Sequence, residues 1–129
     1  MKVLVVDDEK DMEALFLQRF RKEIRDGKVQ FAFTLSAEEA LNYLFLHNHE
    51  TVLILSDINM PGMSGLELLH RIKQNNYVPP PLVMMITAYG DSENYTQAIK
   101  LGADDFLTKP LDFNLLKEKL KLNPSWQKY

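Results

Sequence analysis

The chain has 129 residues, of which 46% are hydrophobic and 26% are charged, and its formal net charge is −3 at neutral pH. This composition fits one soluble globular domain, and the absence of cysteine excludes disulfides, thiolate metal sites and cysteine nucleophiles. The sequence has no long basic block and no apolar stretch near the length of a membrane span. We therefore expect no direct nucleic-acid partner, no membrane partner and a cytoplasmic location.

The first part of the chain predicts a strand followed by one helix. Residues 3–6 are an apolar run that ends at Asp7 and Asp8. Apolar residues then recur at every fourth position, which predicts a helix with a single apolar stripe. The stripe consists of Met12, Phe16, Phe20 and Ile24. Asp26 and Gly27 end this helix, because glycine tolerates the left-handed conformation of a helix cap.

The middle of the chain alternates two further strands with two capped helices. Residues 29–34 and 52–55 predict the second and third strands, and the third strand leads to Asp57. A serine followed three residues later by a glutamate forms a capping box, which predicts the start of a helix. The two boxes are Ser36 with Glu39 and Ser64 with Glu67.

The last third of the chain repeats the same alternation. Residues 82–86 and about 104–107 predict the fourth and fifth strands, which lead to Thr87 and Lys109. A capped helix follows each strand, because aspartate and serine are preferred helix-cap residues. The predicted caps are Asp91 or Ser92 for one helix and Asp112 for the other. Residues 123–129 lie outside the pattern and are predicted to form a loose tail.

This regular alternation of strands and helices predicts an α/β fold. Short connections between strands imply right-handed crossovers and a mostly parallel sheet with helices on both faces. In such a sheet the carboxyl ends of all strands share one edge, which is where open α/β sheets bind ligands. We therefore expect the polar residues that end the strands to meet in one cleft.

Three carboxylates are predicted to share that cleft. Asp7 and Asp8 follow the first strand and Asp57 follows the third, so their charges would repel one another. Mg²⁺ prefers oxygen ligands, and Asp8, Asp57 and the backbone carbonyl of Asn59 could supply them, with Asp7 holding metal-bound waters. Helix capping and turn formation are the alternative roles for these aspartates.

Two further residues at strand ends have side chains that suit a phosphoryl group. Lys109 could neutralise a carboxylate and later bind a phosphoryl oxygen, and Pro110 after it permits a cis peptide bond. The hydroxyl of Thr87 could donate a hydrogen bond to the same group. Asn59 and Tyr89 flank the cleft, so we expect their side chains to tune the access of water.

Four stretches of the sequence together resemble the receiver domains of bacterial two-component response regulators. They are residues 3–9 (VLVVDDE), 55–65 (LSDINMPGMSG), 85–88 (MITA) and 102–110 (GADDFLTKP). The resemblance implies a flavodoxin-like, three-layer (βα)5 sandwich whose five parallel strands have the order 2-1-3-4-5. It covers residues 1–122 as a receiver domain and leaves 123–129 as a C-terminal tail or linker stub.

The resemblance also implies a role for each cleft residue. Asp57 corresponds to the phosphoacceptor. Asp7 and Asp8 correspond to the acidic pair that binds Mg²⁺ or Mn²⁺, with Asp8 as a direct ligand and Asp7 acting through water. Asn59 corresponds to the residue that lends its backbone carbonyl to the metal. Lys109 corresponds to the phosphate-binding lysine.

The implied function is a phospho-switch. A sensor histidine kinase or a histidine phosphotransfer protein would donate the phosphoryl group, and Thr87 and Phe106 would act as the switch pair. They would repack the face formed by the fourth predicted helix, the fifth strand and the fifth predicted helix. A downstream protein, a covalently linked output domain or a second copy would bind there. Such a regulator catalyses only its own phosphorylation and dephosphorylation.

Three other readings of the sequence remain alternatives. The first is a receiver-like interaction domain that works without phosphorylation. The second is an aspartyl phosphohydrolase, which is disfavoured because such enzymes carry an acid where Asn59 stands, two residues after Asp57. The third is a flavin- or nucleotide-binding flavodoxin-like protein. It is disfavoured because Asp7 and Asp8 stand where a phosphate-binding loop would be needed.

Overall fold

Five short strands form one parallel sheet in the computed structural model, which describes residues 1–47, 50–88 and 90–127. In chain order the strands are β1 (Lys2–Val6), β2 (Gln30–Thr34), β3 (Leu53–Asp57), β4 (Leu82–Ala88) and β5 (Asp105–Lys109). Their spatial order is β2-β1-β3-β4-β5, and every neighbouring pair is parallel. The predicted α/β class and strand order are therefore confirmed.

Six α-helices occur in the described part of the chain; the first five connect successive strands and the sixth follows β5. They are α1 (Asp11–Arg19), α2 (Arg21–Arg25), α3 (Ala37–Leu46), α4 (Gly65–Gln74), α5 (Ser92–Lys100) and α6 (Phe113–Lys121). The side chains at the starts of the last four helices accept hydrogen bonds from backbone N–H groups of the first turn, as their sequences predict. These cap residues are Ser36, Ser64, Asp91 and Asp112. No described helix is long and apolar enough to cross a membrane.

The single helix predicted after β1 is wrong, because the chain leaves helical geometry at Phe20 and forms α1 and α2. The backbone of Phe20 has φ −106° and ψ 16°. A stripe that recurs every fourth residue drifts by about 40° per step around a helix of 3.6 residues per turn. The deviation at Phe20 keeps its ring fully buried, stacked on Phe16 at a centroid distance of 6.0 Å.

Each face of the sheet is covered by its own apolar core. Side chains alternate between the faces along each strand, so Val3 and Val5 point to one core and Leu4 and Val6 to the other. The first core contains residues of α1 and α6 and is rich in phenylalanine rings, whereas the second contains residues of α3, α4 and α5. The two cores fix the sheet and therefore the edge at which the strands end.

The loose tail expected from residue 123 is wrong for the described part of that segment. Residues Pro124–Gln127 form a 3-10 helix, and Trp126 is 5% exposed within the phenylalanine-rich core. The Trp126 N–H donates to the carbonyl of Asn123. Burial of the large indole outweighs the entropy of ordering a short segment. Residues 128 and 129 lie outside the described residues.

The fifth strand is less buried than the inner strands of the sheet. In β5 Leu107 is buried but Phe106 is only half-buried, because β5 is an edge strand next to β4 alone. The strands β3, β4 and β5 also run two residues further than predicted. Asp57, Thr87 and Lys109 are thereby the last or second-last residues of strands rather than loop residues.

Candidate functional site

The residues singled out from the sequence lie along the carboxyl edge of the sheet. Asp7 directly follows β1, and Asp57 is the last residue of the adjacent strand β3. Thr87 lies one residue beyond Ile86, the partner of Asp57 in the register of β3 with β4. Lys109 ends β5. The parallel topology thus collects groups that are as distant in sequence as Asp7 and Lys109.

Three carboxylates form the centre of the site. Oxygen atoms of Asp7, Asp8 and Asp57 all lie within 4.8 Å of one another. Asp7 and Asp57 are only 2% and 4% exposed, whereas Asp8 is exposed to solvent. Carboxylates this close repel one another, most strongly between the two that are buried, Asp7 and Asp57. The cluster therefore needs compensating positive charge.

The carboxylate of Asp7 is only partly satisfied by hydrogen bonds. Its Oδ1 accepts a hydrogen bond from the N–H of Glu9 at 2.8 Å, but its Oδ2 is buried and has no partner within the described chain. Burial raises the pKa of Asp7, and the negative charge of Asp57 adds to this effect. An unpartnered, buried carboxylate oxygen in an all-oxygen cluster fits a hard divalent cation such as Mg²⁺.

Lys109 provides the positive charge nearest to Asp57. Its Nζ donates to Oδ2 of Asp57 at 2.8 Å and lies 3.9 Å from Oε1 of Glu9. The Lys109–Pro110 peptide bond is cis. Burial is the largest influence on the pKa of Lys109 and lowers it, but the hydrogen bond and charge of Asp57, with Asp7 and Glu9, raise it overall. Lys109 is therefore a fixed cation at neutral pH.

The backbone after Asp57 is held by close contacts. The N–H of Ile58 donates to the carbonyl of Ile86 at 3.3 Å, and the N–H of Gly65 donates to the carbonyl of Ile58 at 2.8 Å. A Cβ on Gly65 would overlap the carbonyl oxygen of Asp57, so the start of α4 packs directly against the end of β3. Asn59 is exposed in the loop between them.

The switch pair predicted from the sequence lies on one face of the sheet. Thr87 is 4% exposed and lines a cavity of about 260 Å³ together with Tyr95 and Thr108. Phe106 precedes Thr108 by two residues, so both side chains point to the same face of β5. The rings of Phe106 and Tyr95 are in contact, with centroids 4.4 Å apart. Space for a side-chain rearrangement therefore lies between Thr87 and Tyr95.

Sequence reasoning missed three residues that shape the site. Gly65 packs against Asp57. The feature of the sequence that could have revealed it is the presence of a glycine at the first position of a helix, because glycine has a poor intrinsic helix propensity. Glu9 contributes its N–H to Asp7 and its carboxylate to Lys109, and it directly follows the acidic pair. Tyr95 contacts the ring of Phe106 and lines the cavity beside Thr87. Tyr89 lies outside the described residues.

Comparison with known proteins identifies the class to which this site belongs. Residues 3–121 match the family model of the response regulator receiver domain. The chain belongs to this family, whose members are the phosphoacceptor domains of two-component signalling. A solved structure of a response regulator receiver protein from Pseudomonas putida superposes with a TM-score of 0.75 at 30% identity. That superposition covers 95% of this chain and 96% of the other.

The relatives in sequence include both long and short proteins. The response regulator PilR of Pseudomonas aeruginosa is 40% identical over 121 residues, which are 91% of this chain but 24% of PilR. RppA of Synechocystis is 34% identical over 122 residues, 94% of this chain and 49% of RppA. The chemotaxis protein CheY1 of Helicobacter pylori is 30% identical over 122 residues, 95% of each chain. The chain thus spans about a quarter to a half of the first two relatives.

Proposed function

We propose that Asp57 accepts a phosphoryl group from a phosphohistidine on a sensor kinase or a histidine phosphotransfer protein. The observation that carries this proposal is the 2.8 Å contact between Lys109 Nζ and Asp57 Oδ2, inside a cluster of three carboxylates. Asp57 is the member of the cluster that touches a cation and also ends a strand at the edge of the cleft. The match to the receiver family supports the same assignment.

The transfer is a displacement at phosphorus. An oxygen of Asp57 forms a bond to phosphorus while the bond from phosphorus to the donor imidazole nitrogen breaks, and the electron pair of that bond stays on the imidazole. In the second half of the cycle an oxygen of water forms a bond to phosphorus while the bond from phosphorus to the Asp57 oxygen breaks. Water loses a proton, inorganic phosphate is released and the Asp57 carboxylate is restored. The protein contributes by positioning the groups and by balancing charge.

A divalent cation is needed to bring two anions together. We infer that Asp8, Asp57 and the backbone carbonyl of Asn59 hold Mg²⁺ or Mn²⁺ directly, with Asp7 acting through water. When bound, the cation neutralises the carboxylates and the phosphoryl oxygens. The unpartnered Oδ2 of Asp7 supports this inference.

Two side chains of the chain complete the chemistry. Lys109 already donates to Asp57, and the ammonium group remains within reach of a phosphoryl group bonded to that carboxylate. Thr87 is buried beside Asp57, and its hydroxyl donates to a phosphoryl oxygen. Both interactions are stronger with the phosphorylated residue than with the free carboxylate, which stabilises the phosphorylated state.

The experiment that tests the phosphoacceptor is labelling with acetyl phosphate and Mg²⁺, followed by mass spectrometry. We expect the wild-type protein to gain one phosphoryl group and Asp57→Asn to gain none. Asp105→Asn is the matched control, because Asp105 is also paired with a lysine, Lys119 at 2.9 Å. Labelling of Asp57→Asn at the wild-type level would contradict the proposal, and turnover of many phosphate esters would favour a phosphohydrolase.

The output of this switch is a change of the surface formed by α5, β5 and α6. We propose that Thr87 moves towards the phosphoryl group and that Phe106 rotates into the space it leaves, which breaks the contact of Phe106 with Tyr95. A downstream protein, a linked output domain or a second copy then binds this surface. Sedimentation of Thr87→Ala with and without beryllofluoride tests the dimer. A mimic-dependent dimer as strong as in the wild type would contradict the role of Thr87.

A further inference from the structure

The loop from Ile58 to Ser64 is held at its two ends and reaches over the start of α3 in between. Its ends are fixed by backbone hydrogen bonds, from Ile58 to Ile86 and from Gly65 to Ile58. Met60 is buried in the core beneath α3 and α4. The carbonyl of Asn59, the proposed metal ligand, lies in this loop. Its position therefore depends also on the contacts that hold the part of the loop between Met60 and Ser64.

A carboxylate on α3 holds the far part of this loop. Oε2 of Glu38 accepts a hydrogen bond from the N–H of Met63 at 3.2 Å. Gly62 has a left-handed backbone, φ +76°, and a Cβ there would lie 3.0 Å from the same oxygen. Glycine at this position avoids both the strain of a positive φ and a clash with Glu38. The glutamate and the turn thus fit one another.

Glu38 lies in the first turn of a capped helix. Ser36 caps α3 by accepting a hydrogen bond from the N–H of Glu39 at 3.1 Å. Ala37 and Ala40, on either side of Glu38 in sequence, are fully buried against the sheet. A carboxylate in the first turn of a helix is also favoured by the helix dipole. Glu38 can therefore act as a fixed anchor for the loop.

We propose that Glu38 is a positioning residue for the metal site, acting through the loop that carries Asn59. The proposal rests on the proposed function, because it assumes that the Asn59 carbonyl is a metal ligand. Glu38 does not touch the metal in this account. It accepts the Met63 N–H and so reduces the number of loop conformations that compete with the binding one, which lowers the entropic cost of metal binding.

Three isosteric or near-isosteric variants separate the hydrogen bond from the charge. Glu38→Met removes both the acceptor and the charge, and Glu38→Gln removes the charge and keeps an acceptor. Glu39→Gln removes an equal charge one residue further along and keeps the capping box with Ser36. All three substitutions place good helix formers in α3, so the fold is retained. Calorimetric titration with Mg²⁺ alone gives the dissociation constant of each protein.

We expect Glu38→Met to bind Mg²⁺ roughly three- to tenfold more weakly than the wild type, the factor that one hydrogen bond of ordinary strength provides. Glu38→Gln and Glu39→Gln should stay within about twofold of the wild type. Amide hydrogen exchange in the Mg²⁺-free proteins should be faster at Met63 in Glu38→Met alone, because only that variant lacks the acceptor.

Two results would overturn the inference while leaving the proposed function intact. One is wild-type Mg²⁺ affinity in Glu38→Met. The other is an equal loss in all three variants, which would show a long-range effect of charge. Failure of the wild-type protein to bind Mg²⁺ would instead remove the metal site of the proposed function, and the inference with it.

Discussion

Two pairs of adjacent aspartates lie at opposite edges of the sheet and meet different surroundings. Asp7 and Asp8 follow β1 at the carboxyl edge, whereas Asp104 and Asp105 lie at the start of β5 at the amino edge. The first pair shares its cleft with a third carboxylate, Asp57, and an oxygen of Asp7 is left buried without a partner in the described chain. The Asp–Asp dipeptide at the carboxyl edge thus keeps a carboxylate oxygen without a hydrogen-bond partner in the described chain.

The pair at the amino edge is neutralised by lysines of the same chain. Asp104 accepts from Lys73 at 2.9 Å and from the N–H of Val83 at 2.8 Å. Asp105 accepts from Lys119 with both carboxylate oxygens, at 3.0 and 2.9 Å. Each carboxylate has its own cation, so this pair ties β5 to its neighbours and needs no ligand.

The two edges also differ in what holds them together. At the carboxyl edge the backbone around Asp57 is held by backbone groups of Ile58, Ile86 and Gly65, and Lys109 is the one cation paired with the three carboxylates in the described part of the chain. At the amino edge side-chain ion pairs make the contacts. An acidic pair that the fold leaves without sufficient counter-charge is therefore the one to expect at a binding site.

The largest expected effect comes from a variant that disturbs the backbone packing at the carboxyl edge. Gly65→Ala would push a methyl group into the carbonyl of Asp57, and neither backbone segment can move without breaking hydrogen bonds. We expect the free energy of unfolding to fall by about 3 kcal/mol. Urea denaturation followed by circular dichroism measures this change. A loss below about 1 kcal/mol would mean that the start of α4 is not tightly held.

The amino edge should lose stability when its acidic pair is broken. Asp104→Ala removes the acceptor of the Val83 N–H and the partner of Lys73, and we expect a loss of about 2 kcal/mol in urea denaturation. Asp104→Asn is the control, because its amide oxygen can still accept from Val83, and it should lose about half as much. Equal stability of all three proteins would contradict a structural role for this pair.

Magnesium should stabilise the protein through the carboxyl edge alone. At a free Mg²⁺ concentration ten times the dissociation constant, we expect about 1.4 kcal/mol of added stability, which thermal unfolding detects as a higher Tm. Asp8→Asn should lose most of this gain, whereas Asp105→Asn should keep it. A gain that survives in Asp8→Asn would place the cation elsewhere.

The smallest expected effect is a gain in stability when Asp7 is replaced, whereas replacement of Asp104 is expected to cause a loss. Burial raises the pKa of Asp7, so the folded protein binds this proton more tightly than the unfolded chain does. The contribution of Asp7 to stability therefore falls as the pH rises above its ordinary pKa of 3.8. Without Mg²⁺, we expect Asp7→Asn to be about 1 kcal/mol more stable than the wild type at pH 7.

The pH dependence provides the check on that prediction. The advantage of Asp7→Asn should shrink towards pH 4, where the carboxyl group in the folded wild-type protein is increasingly protonated and neutral. Urea denaturation of both proteins between pH 4 and pH 7 measures it. A constant difference over this range would mean that the carboxyl group does not titrate there.

Much of the fold was predictable because it depends on local pattern. The alternation of apolar runs and amphipathic segments predicted five strands, and the four helix caps were visible as serine or aspartate at the correct positions. The convergence of Asp7, Asp57 and Lys109 also followed, because parallel strands end at one edge. The order of the strands came from the resemblance to a family rather than from periodicity.

The misses share a cause, which is packing between segments that are distant in sequence. The deviation at Phe20 is associated with rings from other elements, and its ring contacts those of Phe31 and Phe113. Trp126 is outside the repeating pattern, and only the core beneath it reveals its burial. The position of Glu38 beside Met63 depends on how α3 lies against the loop after β3.

The sequence by itself determined the strands, the helix caps and the presence of acids and a lysine at strand ends, because these features depend on neighbouring residues. Tertiary structure alone decided which charges are compensated. Asp104 and Asp105 receive lysines from α4 and α6, whereas Asp7 keeps an unpartnered oxygen. Counter-charges come from segments far away in sequence, and whether they arrive depends on packing that no local pattern encodes.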